Sequence, residues 1–183
     1  MVAVSKTYPY DIVLQAYDAG HRRFGENRVQ ELHEKQMQLP SDVEWHLIGH
    51  LQKNKVKYIV PFVALIHAVD SLELLETIQK EAVKVNRVIP CLIQIHIASE
   101  ETKFGFSYAE AKSLFESGVL GSLNRVSVKG LMGMATFTDN QSQVRAEFRQ
   151  LASFFRQVQS GPMKNSPDFN ELSMGMSGDY PIA

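Results

Sequence analysis

Cysteine is almost absent from the sequence: Cys91 stands alone among 183 residues. A single thiol excludes an internal disulfide and a cysteine-rich metal site, and it fits a reducing compartment. Cys91 lies in an apolar run, where a small core residue is the ordinary role. Long hydrophobic stretches are lacking too. None reaches the length of a transmembrane helix, and no signal-peptide pattern precedes the first strand. Nor is there an excess of one charge: 19 Lys and Arg face 20 Asp and Glu, a net charge of -1. The basic residues are spread along the chain, so no nucleic-acid or membrane footprint is expected. What is present is an ordinary globular composition, 44% hydrophobic and 21% charged, with a length that suits one domain over 1–183. A cytoplasmic protein is expected.

The pattern that is present alternates short apolar strands with helices. Val2 to Lys6 reads as a strand that Pro9 ends, Tyr10 to Ala19 as a helix with Gly20 after it, and Arg23 to Asn27 as a second strand and its loop. Arg28 to Gln38 reads as a polar helix with Val29, Leu32 and Met37 inward. Glu44 to Gly49 is a third strand, and Lys53 to Ile59 a helix whose lysines form a solvated face. Ala64 to Asp70 is a fourth strand, and Ser71 caps a helix through Val85 with an apolar stripe. Pro90 opens a fifth strand over Cys91 to Ala98, and Ser99 to Phe106 is a loop. Ser107 caps a helix through Ser117, and Val128 to Phe137 is a sixth strand. Asp139-Asn140 starts a helix through Val158, and Glu171 to Ser177 is a seventh strand and its loop. Strand-helix alternation implies parallel pairing. About seven units suit a TIM-type (β/α)8 barrel better than a doubly wound sheet, and no glycine fingerprint for a dinucleotide follows the first strand. A full barrel has eight strands, so an incomplete one is expected, with the last βα unit missing and two open sheet edges.

In such a barrel the site lies at the carboxyl ends of the strands. Lys6 is there. Alternation puts it on one face with Val2 and Val4, which would desolvate the amine and free it as a nucleophile for a Schiff base; the other reading is a lysine that leaves the strand for water. Ser173-Met174-Gly175-Met176-Ser177 follows the seventh strand, where small residues and hydroxyls can cradle an anion, or simply turn the chain. A lysine and an anion cradle on one rim suggest a phosphorylated carbonyl compound, and pyridoxal 5′-phosphate fits both halves. Asn27 is placed to hydrogen-bond a ring or to shape a turn. His46, on the same rim at the end of the third strand, is a candidate cofactor contact, although, like His67 and His96, it reads more readily as a core histidine than as a catalyst. Met132 and Met174 line a pocket or pack the core.

Val-Ala-Val-Ser-Lys-Thr at 2–7, Gly-Glu-Asn-Arg-Val-Gln-Glu at 25–31 and Trp-His-Leu-Ile-Gly-His-Leu-Gln-Lys-Asn-Lys at 45–55 resemble the pyridoxal phosphate homeostasis protein family, as do Gly-Leu-Met-Gly-Met-Ala at 130–135 and Leu-Ser-Met-Gly-Met-Ser at 172–177. The resemblance covers essentially the whole chain, in family order. It implies the barrel of the alanine racemase amino-terminal domain, Lys6 as the Schiff-base lysine, Asn27 beside the cofactor ring, and Ser173 with the following backbone at the phosphate. It also implies a carrier that buffers the cofactor or delivers it to apo-enzymes without robust turnover of its own; a monomer is expected. A leading helix and a later Arg-x-Gly-Ser/Thr strand of that family are not found. A racemase or decarboxylase, and a regulatory module that has lost the cofactor, remain the alternatives.

Overall fold

The computed structural model describes residues 1–100 and 104–183. Its seven strands are β1 (Ala3–Val4), β2 (Arg23–Glu26), β3 (Glu44–Leu47), β4 (Leu65–Val69), β5 (Ile89–Gln94), β6 (Val126–Met132) and β7 (Glu171–Ser173). Between them run α1 (Tyr10–Asp18), α2 (Val29–Gln38), α3 (Val56–Ile59), α4 (Leu72–Lys84), α5 (Tyr108–Glu116) and α6 (Gln141–Ser160). The strands form one sheet in sequence order, and every neighbouring pair is parallel. That order follows from the local pattern, because a parallel neighbour needs a crossover and each connection supplies a helix.

The sheet curls. In a flat sheet β4 and β7 would lie about 14 Å apart, three spacings of about 4.8 Å. Yet His67 Nδ1 of β4 is 2.9 Å from Ser173 Oγ of β7. The wall therefore bends into an open barrel of the expected kind, with β1 and β7 as its edges. The helices pack on the convex side. Leu32, Ile59, Leu75, Ile78 and Leu151 are wholly buried there with Leu47 and Ile66 of the strands. Ser71 and Asn140 cap α4 and α6 with side-chain acceptors, and Ser107 with Glu110 forms a capping box at α5.

Several boundaries differ from expectation. β5 stops at Gln94 rather than Ala98, and β6 at Met132 rather than Phe137, whose side chain is almost fully exposed. Met37 is exposed, and the inward place on that part of α2 belongs to Lys35. Of the loop expected over Ser99 to Phe106, residues 101–103 lie outside the described residues.

Candidate functional site

Register fixes which residues share the concave face. Val4, Gly25 and His46 are lateral neighbours on β1, β2 and β3, and Met132 is the neighbour of Ser173 on β6 and β7. Neighbours across a ladder point the same way. His46 Nδ1 is 2.9 Å from His67 Nε2, and His67 Nδ1 reaches Ser173 Oγ. Two candidates read from the sequence, His46 and Ser173, are thus joined by His67, which the sequence reading had left with the core.

Burial holds both imidazoles neutral. Desolvation lowers His46 to about 4, Glu44 opposing and Arg23 assisting. It lowers His67 to about 3, with His46 adding to the effect. A neutral His67 donates from only one nitrogen. If the proton is on Nδ1, it goes to Ser173 and leaves the serine hydroxyl free to donate to an anion. If it is on Nε2, the serine proton is spent on His67.

Ser5, whose hydroxyl bonds Glu26, faces the convex side, and Lys6 follows it in a turn just beyond the carboxyl end of β1. The expectation that Val2 and Val4 shelter this amine is overturned: Lys6 is exposed and Val4 is 47% exposed. Among the described residues, β1 is an edge of the sheet. Lys6 sits at a corner. The Tyr8 amide donates to the Ser5 carbonyl (3.1 Å), and Thr7, between them, has φ 67. A turn with positive φ at its third residue normally takes glycine or asparagine there. A β-branched residue in that conformation costs on the order of 1–3 kcal/mol and persists only where its surroundings impose it.

Those surroundings are an ion cluster that the sequence reading missed. Lys35 Nζ donates to Ser5 O (2.6 Å), Glu26 Oε1 (2.7 Å) and Glu31 Oε1 (2.8 Å). The Ser5 hydroxyl donates to Glu26 Oε1 (2.6 Å), and the Thr7 amide to Glu31 Oε1 (2.8 Å). Burial raises the Glu31 pKa, but the hydrogen bonds from Lys35 and Thr7 outweigh it, and the net shift is downward. Glu26 is fully buried. The four-residue spacing of Glu31 and Lys35 is the signal that could have found the cluster.

The remaining candidates lie on the rim. Asn27 is half-buried, with no side-chain hydrogen bond among the described residues, and its backbone packs on Gly49 so closely that a Cβ there would fall 2.4 Å from Asn27 O. Met132 is buried in the floor of the face. Met174 packs into the core, Gly175 has φ 78, and Ser177 is exposed. The expected anion cradle is partly self-occupied, because the Met176 amide donates to the Asp179 carboxylate. Among the described residues no cluster of three His, Cys, Asp or Glu could hold a metal ion, and no helix is long and apolar enough to cross a membrane.

Residues 1–182 match the family model of the alanine racemase N-terminal domain. The pyridoxal phosphate homeostasis protein of Aquifex aeolicus is 40% identical over the whole chain, which spans 78% of that relative. The human protein of the same name is 34% identical over 98% of the chain and 68% of its own length. PipY of Synechococcus elongatus superposes with a TM-score of 0.90 at 36% identity, covering 100% of this chain and 84% of PipY, and its PLP-bound structure with 0.85. Alanine racemase of Clostridium difficile shares the fold at a TM-score of 0.74 and 14% identity, over 96% of this chain and 46% of the racemase. With this fold, a family-model match over residues 1–182 and relatives 34–40% identical over nearly the whole chain, the chain belongs to the pyridoxal phosphate homeostasis protein family, within the alanine racemase N-terminal-domain fold.

Proposed function

We propose that this protein binds pyridoxal 5′-phosphate on Lys6 and serves in its intracellular homeostasis, buffering the cofactor or handing it to apo-enzymes. The observation that carries this reading is the position of Lys6: an exposed lysine just beyond the carboxyl end of β1, whose Val4 neighbours Gly25 and, through it, His46, in a chain whose relatives are named for this role. The cofactor would supply an electrophilic aldehyde carbon, and Lys6 the amine that would be joined to it, water being released.

The donor set fits such a ligand. Ser173 offers a hydroxyl that His67 orients, Gly175 turns the chain, and the exposed Ser177 adds a second hydroxyl. Asn27 presents an uncommitted amide to a ring substituent, while His46 and Met132 form the floor. Carriage rather than turnover is favoured by the histidines. General acid–base catalysis works best with a group that titrates near the operating pH, and both imidazoles are held well below it. The carrier acts as a monomer.

The test is absorbance on adding cofactor to the wild type and to Lys6→Ala. A new band in the wild type alone supports the reading; identical spectra refute it. Amino-acid turnover abolished by Lys6→Ala would instead make the protein an enzyme.

A further inference from the structure

We propose that Glu31 and Lys35 of α2, backed by the buried Glu26, are positioning residues that fix the corner from which Lys6 leaves the sheet. This rests on the reading of Lys6 as the attachment point. The backbone groups on either side of Lys6 are both tied to α2: the Ser5 carbonyl to Lys35 and the Thr7 amide to Glu31. An ammonium has three donors, and those of Lys35 have three acceptors, Ser5 O, Glu26 and Glu31. With its side chain only 8% exposed, Lys35 has no freedom to swing away. The cluster lies on the convex side of the wall and does not touch the face where the cofactor would sit. Its output is geometric: it holds Thr7 at positive φ, and that sets the direction in which Lys6 leaves the turn. Without the clamp a threonine relaxes to negative φ, the turn opens, and the amine points elsewhere.

Glu31→Ala removes the acceptor of the Thr7 amide and leaves the Glu26–Lys35 pair in place. The borohydride-trapped adduct on Lys6 is expected to form tenfold or more slowly, while the thermal midpoint stays within a few degrees. In cofactor-free protein, amide exchange in the segment 5–8 should rise and elsewhere stay unchanged. Adding Thr7→Asn, which tolerates positive φ, should restore most of the trapping rate; a clamp that only stabilises the fold would not be rescued this way. The double substitution Glu26→Gln with Lys35→Met removes the buried charges together and should reproduce the slow trapping. Wild-type trapping rates in Glu31→Ala despite faster exchange at 5–8, or no rescue by Thr7→Asn, would overturn the inference. Absence of any adduct on wild-type Lys6 is a different result, and it would overturn the carrier reading and the inference with it.

Discussion

His67 has a partner on each ring nitrogen, His46 on one side and Ser173 on the other. Unfolded, both histidines titrate near 6.5; folded, they do so at about 4 and about 3. Between those values the unfolded chain holds more protons, so stability is complete above about pH 6.5 and falls as the pH drops toward 4. Urea denaturation at pH 7 and pH 4.5 should show a loss on the order of 5 kcal/mol, about half from each histidine. In His67→Gln at least half of that loss should disappear; parallel losses in the two proteins would contradict the assignment. At this scale the sequence was only partly legible. His46 and Ser173 were readable as candidates, but alternation along a strand does not say which distant strand a side chain will meet, and that is how His67 was missed. Lys35 was missed because an ammonium inside a polar helix gives no apolar periodicity. Lys6 was misjudged because its valine neighbours lie on the exposed edge of the wall, not in its middle.

Among the elements, α5 has the most fully specified start. The Ser107 hydroxyl accepts from the Glu110 amide, and the Glu110 carboxylate accepts from the Ser107 amide. Ser107→Ala should cost about 1 kcal/mol in chemical denaturation. At the β3 loop, Gly49→Ala forces a Cβ against the Asn27 carbonyl. It should destabilise by about 2 kcal/mol and weaken cofactor binding as well; unchanged affinity would count against a role for Asn27. Caps and apolar stripes made the helices readable, as at Ser71 and along Leu75, Ile78 and Ala82. Strand ends were not, because a strand lasts only as long as its neighbour. The sequence stays apolar through Ala135, but β7 ends at Ser173, whose carbonyl takes the Gly133 amide as the last bond of that pairing. Likewise β5 gives way after Gln94, whose carbonyl accepts from Phe106 and whose side chain donates to the Phe104 carbonyl.

For the whole molecule, an open wall presents two edges, which would template self-association if they were long and flat. Here they are short: β1 has 2 residues and β7 has 3. Sedimentation velocity at micromolar concentration should therefore show a monomer, and a concentration-dependent dimer would mean that an edge is used. The parallel order of the wall was legible from strand-helix alternation alone. Its curl was not, because it depends on contacts between elements far apart in sequence, such as the 2.9 Å bond between His67 and Ser173. The central claim is that the chain holds its cofactor through one amine. The direct measurement is borohydride reduction of the cofactor-loaded protein followed by peptide mapping. A single adduct on Lys6, absent from Lys6→Ala, is the predicted result. An adduct on the exposed lysines at 53, 55 and 57, or an equal yield from Lys6→Ala, would contradict it.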